Sequence, residues 1–134
     1  MTYLLDTNAV SELMKADPRI ETWMAGLEEQ DRIGTCSIVR GEIIFGISRL
    51  PAGSRRSELE QAGHHFLDSF LYESVPQRAG DFYAAIKRDR QSQRLALDEN
   101  DLWIAATALA LGATLVSRDQ DFAGVKGLAV VAPA

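Results

Sequence analysis

Short apolar runs along the chain alternate with longer segments whose apolar residues recur at helical spacing, and this alternation is the first guide to the fold. Residues 2–5 (TYLL) predict a short buried strand, and residues 7–16 a helix that stops before Pro18. Residues 19–29 predict a second helix with Ile20, Trp23, Met24 and Leu27 on one face. RIGTC (32–36) reads as a strand, and Ser37 as the N-cap of a helix reaching Leu50, where PAGS breaks it. From Arg55 to Tyr72, the residues Leu59, Ala62, Gly63, Phe66, Phe70 and Leu71 mark an amphipathic helix. A short strand at ESVP (73–76) follows, then a helix over 78–94 with Ala79, Phe82, Tyr83 and Ile86 inward. LDEND (97–101) introduces an unusually apolar helix from Leu102 to Leu111, closed by Gly112 as a C-cap. TLVS (114–117) and LAVV (128–131) read as strands joined by a loop or short helix. Strands alternating with helices predict an α/β architecture, one domain over residues 1–134 with a mostly parallel central sheet covered on both faces.

Composition keeps this picture and narrows it. With 46% hydrophobic and 25% charged residues the chain has a globular, soluble character. No run approaches the roughly 18 apolar residues of a membrane span, and no basic segment followed by an apolar run opens the sequence. A cytoplasmic location without membrane association is therefore the expectation. The single cysteine, Cys36, excludes an internal disulfide framework or a multi-cysteine zinc site, and reads as a small buried hydrophobe at a strand end. The net charge of −5, from 19 acids and 14 bases, argues against a simple polyanion binder. That inference reverses if four acids share one cation-holding pocket, because 15 acids would then face 14 bases elsewhere.

Four carboxylates stand at places where such a pocket could form. Asp6 lies just past the first strand and Asp119 just past TLVS, so both fall at the carboxyl edge of a parallel sheet, where ligands bind in folds of this kind. Asp101 opens the helix that is apolar on every side, within about 60° of Ile104 and about 20° of Ala108 around the axis. A carboxylate there is costly unless something compensates it, although Asp98 and Asp101 also resemble a capping box at a helix start. Glu42 sits about a quarter-turn from the stripe Val39, Ile43, Ile47 and Leu50, at the border of the core. Gathered carboxylates raise one another's pKa unless a cation is present. Mg2+ or Mn2+ resolves that repulsion, often through one or two direct carboxylates plus water. The chemistry this implies is hydrolysis of a phosphodiester.

The segments YLLDTNAVSEL, SIVRGEIIFGI, NDLWIAATAL and TLVSRDQDF, in this order over nearly the whole chain, together resemble the PIN-domain ribonucleases, in particular the VapC-type toxins of bacterial toxin–antitoxin pairs. The resemblance implies a PIN-like three-layer α/β/α fold and a Mg2+-dependent endoribonuclease, with Mn2+ able to substitute. It makes Asp6 and Asp101 the principal metal ligands. Glu42 and Asp119 would complete the pocket, through water or directly, with Asp121 close enough to compete with Asp119 for the fourth position. Thr7, Asn8 and Ser117 become supporting hydrogen-bonding groups, and Asp98 a helix cap. The partners implied are an RNA substrate, a small VapB-type antitoxin that occupies or blocks the active groove, a homodimer, and a higher assembly with the antitoxin.

Other features carry less. Lys87, Arg90 and Arg94 share an arc of about 60° on their helix and could contact phosphates, as could Arg49, Arg55 and Arg56 around the PAGS break. Phe45, nearly opposite the buried stripe of its helix, is either an exposed aromatic at a partner interface or a residue covered by another helix. His64 and His65 point away from the stripe around Phe66 and read as surface residues. Two competing readings are a phosphotransfer domain with an aspartate as covalent acceptor, which would want a second acid beside Asp6, and a catalytically silent module that only binds RNA or protein.

Overall fold

The computed structural model describes residues 1–134, the side chains of Tyr72 and Glu73 apart. In chain order it contains β1 (Thr2–Leu5), α1 (Thr7–Met14), α2 (Pro18–Ala25), β2 (Arg32–Cys36), α3 (Ser37–Ser48) and α4 (Ser54–Asp68). Then come β3 (Leu71–Glu73), α5 (Arg78–Ser92), α6 (Glu99–Leu111), β4 (Thr114–Val116), a 3-10 turn (Gln120–Phe122) and β5 (Val130–Val131). The five strands form one sheet in the order β3-β2-β1-β4-β5, and every pairing is parallel.

This order fixes where a site can form. The chain builds outward from β1 to β2 and β3, then crosses to the other side of β1 for β4 and β5. The carboxyl end of β1 is therefore the switch point of the sheet, where diverging loops leave a crevice. Leu4 and Leu5 of β1 are fully buried, as are Leu115 and Val116 of β4, so the middle of the sheet is the middle of the core. Thr35, buried on β2, donates its hydroxyl to the Leu5 carbonyl over 2.9 Å and so adds no unpaired polar atom.

The helix periodicity holds, and the element ends show where it misleads. The apolar helix α6 buries Leu102, Ile104, Ala105, Ala106, Thr107 and Ala108, as a helix apolar on all sides must. It begins at Glu99 rather than Leu102, because Asp98 is the N-cap and accepts the Asn100 N–H. Gly112 ends it in the left-handed region at φ 65°. Ser37 is not an N-cap: Cys36 takes that position, buried at the end of β2, and Ser37 is the first residue of α3. Helix α4 stops at Asp68, short of the Tyr72 that the apolar spacing suggested, and the strand that follows is Leu71–Glu73 rather than residues 73–76. Its pairing depends on Gly34, where a Cβ would come within 3.0 Å of the Leu71 carbonyl oxygen. Helix α5 packs along α6, and α3 packs against α1 and α4. Among the described residues no helix is long and apolar enough to cross a membrane.

A candidate acidic active site at the sheet edge

The residue after β1 is held from several directions. The Asp6 N–H donates to the Val116 carbonyl over 3.2 Å, continuing the β1–β4 pairing past the strand. Its Oδ1 accepts the Ala9 N–H at 2.8 Å, capping α1. Local capping and placement at the switch point thus describe the same side chain, which is only 3% exposed. The Ser117 hydroxyl also hydrogen-bonds to Asp6, and the same Ser117 oxygen accepts the Asp119 N–H at 3.0 Å. Buried Ser117 thereby links two acids that come from opposite ends of the sequence.

Glu42, in the second turn of α3, accepts the Thr7 hydroxyl at 2.6 Å. Asp101 stands in the first turn of α6. That helix runs back against β4, so its N-terminus returns to the carboxyl edge of the sheet. Of the three hydrogen-bonding groups expected from the sequence, Thr7 and Ser117 bind acids directly, whereas Asn8 is exposed and lines a neighbouring groove.

The electrostatics ties the acids together. Burial pushes the Asp6 carboxyl up from its ordinary value, the bonds from Ser117 and Ala9 work against this, and the charges of Glu12 and Asp119 add to the rise. Asp101 is pushed up to about 6, first by burial and then by the charges of Glu42, Asp98, Asp119 and Asp6. One aspartate therefore feels the charges of all three other acids expected at the site. Asp119 rather than Asp121 carries this coupling: Asp121 is exposed, and its N–H merely donates to Asp119 Oδ1 at 2.9 Å.

The acids do not close on a single point. Among the described residues no three His, Cys, Asp or Glu side chains stand near enough to one another to enclose an ion by themselves. An all-oxygen donor set that includes buried Asp6 and half-buried Asp101 suits a hard cation that keeps several waters.

Two basic expectations change here. Arg90 is only 6% exposed, so it cannot face RNA. Its Nη2 donates to the Ala96 carbonyl at 3.2 Å and the Asp121 carbonyl at 3.1 Å, and its Nη1 to the Ala123 carbonyl at 3.5 Å, while Nε has no partner. It thus staples the loop leading into α6 to the turn carrying Asp119. Lys87 is also engaged, donating to Glu99 Oε1 at 2.6 Å and to the Tyr83 hydroxyl at 3.1 Å. His64 and His65 are exposed, as expected.

Sequence reasoning missed an ion pair bordering the site. Arg118, between Ser117 and Asp119, pairs with Glu12 of α1 and reaches Asp17 at 3.7 Å, while its Nη1 donates to the Pro133 carbonyl at 3.2 Å. The only signal was a base adjoining Asp119, which does not say which acid it meets. Two hollows flank Glu42. A largely apolar groove of about 590 Å3 runs between α1, α3 and α4 past Ile47, Leu59, Ala62 and Phe66. A more polar cleft of about 630 Å3 lies on the other side, toward the start of α6.

A parallel five-stranded sheet covered by helices, with acidic residues at its carboxyl edge, defines an α/β/α protein. The chain belongs to the PIN domain family, whose model matches residues 3–128. It is 30% identical to the plasmid stability protein StbB of Pseudomonas syringae pv. tomato, over 97% of this chain and 96% of that protein. It is 31% identical to the ribonuclease VapC1 of Haemophilus influenzae strain R2866, over 89% of this chain and 87% of that one. The solved structure of VapBC-1 from nontypeable Haemophilus influenzae superposes with a TM-score of 0.86 at 25% identity, covering 98% of each chain.

Proposed function

We propose that this chain is the toxin of a toxin–antitoxin pair, a one-domain cytoplasmic endoribonuclease that hydrolyses RNA phosphodiester bonds with Mg2+, or Mn2+ in its place. The observation that carries the reading is the placement of the acids: Asp6 is buried at the switch point, Glu42 is held beside it by Thr7, Asp119 follows Ser117 at the end of β4, and Asp101 opens α6, where burial and the charges of Glu42, Asp98, Asp119 and Asp6 raise its pKa. Four acids from four segments act on one another electrostatically, and a divalent cation would supply the missing charge. The relatives named as ribonucleases support the substrate class.

In this reading Asp6 and Asp101 hold the ion directly, and Glu42 and Asp119 act through water. A bound Mg2+ would stabilise charge developing on the phosphate and lower the pKa of an adjacent water. The protein's own groups then orient and hold. Thr7 fixes the Glu42 carboxylate so that one oxygen is left for a water, and Ser117 fixes Asp6 relative to Asp119. Glu12 is an additional acid whose charge acts on Asp6, but its pairing with Arg118 disfavours it as a partner in covalent phosphotransfer.

The structural relative named VapBC supports a partner antitoxin, and the apolar groove bordered by Glu42 and Thr7 suits an apolar segment of it. The homodimer implied by the sequence resemblance completes this proposal. The test is direct: antitoxin-free protein cuts structured RNA with Mg2+ or Mn2+ and stops when the metal is chelated. Asp101→Asn keeps the shape and removes the charge, and cleavage at the parent's rate by that variant would refute the metal-site reading of Asp101. A short upstream reading frame encoding a DNA-binding protein, neutralising the growth arrest caused by the chain, would identify the antitoxin.

A further inference from the structure

The cleft on the α6 side of Glu42 is built differently from the apolar groove. Its walls are Phe45 and Arg49 of α3 and Asp98 and Asn100 at the start of α6, and it shares Glu42 and Thr7 with the acidic pocket. Phe45 is 61% exposed, although a phenylalanine with no binding role is usually covered. The residues one turn to either side of it explain how the ring stays available. Gly41, four positions before, leaves open space where even a Cβ would meet nothing within 4 Å. Arg49, four positions after, places its guanidinium carbon 5.7 Å from the ring centroid and forms no ion pair among the described residues. An open aromatic face, an unpaired guanidinium beside it and a carboxamide across the cleft are the three groups that hold one nucleotide: base stack, phosphate contact and base edge.

We propose that this cleft seats one nucleotide of the RNA next to the scissile phosphate, its base stacked on Phe45, its phosphate paired with Arg49 and its edge facing Asn100. The inference rests on the ribonuclease reading and adds a binding subsite to it. RNA is favoured over a protein occupant because the cleft is bordered by Glu42 and Thr7 of the proposed site and pairs its one aromatic with a cation, with Ile38 its other large apolar wall. None of Phe45, Arg49 and Asn100 is placed among the acids or their hydrogen-bonding supports, so the chemical step is expected to survive their replacement.

The test uses the full chain and a defined oligoribonucleotide taken from the strongest cut in bulk transfer and ribosomal RNA. Phe45→Leu should raise KM about tenfold, the effect of losing one stacked base, and leave kcat within about twofold. Phe45→Trp should restore KM, and its added fluorescence should be quenched by the RNA relative to the parent. Arg49→Gln should lower the slope of log binding against log salt by about 0.7, one single-strand phosphate contact. Circular dichroism of each variant confirms the fold. A parent that cuts while Phe45→Leu keeps its KM overturns the subsite alone. A Phe45→Leu variant with unchanged KM but altered self-association or antitoxin binding overturns it in favour of a protein interface. A parent that cuts no RNA with either metal overturns the ribonuclease reading and the subsite with it.

Discussion

The Thr7 hydroxyl donates to Glu42 Oε1 over 2.6 Å, joining the first turn of α1 to the second turn of α3 across the mouth of the crevice. Thr7 follows Asp6 directly, so one strand end supplies an acid and, in the next residue, the group that orients another. Thr7→Val keeps the side chain's shape and removes the donor. We expect it to weaken Mg2+-dependent cleavage about tenfold, the lower end of what outer hydrogen bonds to metal ligands contribute, and to cost roughly 1 kcal/mol of stability. Thr7→Ser should recover most of both. Metal titrations of cleavage, with urea melts alongside, separate the two effects.

Arg90 is a stability residue in this structure. Its guanidinium donates to the carbonyls of Ala96, Asp121 and Ala123. Arg90→Met fills the volume and strands those acceptors, for an expected loss of roughly 3 kcal/mol in urea unfolding. Because the same contacts hold the Asp119 turn against the segment before α6, residual folded protein should also need more metal for half-maximal cleavage. An RNA-contacting Arg90 would instead lower the salt dependence of binding and leave the melt unchanged.

How much of this was readable in the chain depends on whether the signal is local. Alternating strand and helix periods located the elements because each buries its own repeating face, and Asp6 and Asp119 were legible because a strand end is a sequence feature. Asp101 stood out because a carboxylate opened a helix apolar on all sides. The end of α4 was misread since Phe70 and Leu71 continue the helical spacing after the chain has left the helix at Asp68. Arg90 was misread because an arc of bases looks solvated until one knows that loops from 96 and from 121–123 cover it. The Arg118–Glu12 pair depends on a meeting of α1 with the end of β4, which no local pattern encodes.

The apolar groove should be separable from catalysis. Ala62 is exposed on α4 and lines the groove. Ala62→Glu is compatible with a helix and puts a charge where an apolar partner segment would lie, at a desolvation cost of a few kcal/mol. We expect the variant to cut RNA at the parent's rate and to resist neutralisation by the antitoxin by about tenfold or more in inhibitor titrations. Full neutralisation would place the antitoxin elsewhere.

Metal-free protein should become less stable as pH rises through the range in which Asp101 ionises. In the folded chain Asp101 keeps its proton up to about 6, against an ordinary value of 3.8. Between those two values the folded state holds a proton that the unfolded state has released, so this contribution to stability is complete below the unfolded pKa and is lost as pH climbs through the folded one. Asp101→Asn carries no charge at any pH and escapes the loss. In a chelator, its melting temperature should therefore match the parent's near about pH 4 and exceed it increasingly up to about pH 7, where the difference levels off. Adding Mg2+ at neutral pH should raise the parent's melting temperature and leave the variant's nearly unchanged, because the ion removes the repulsion that the substitution already relieved. A difference between the two proteins that is the same at every pH would mean that Asp101 is not the strained acid of the pocket.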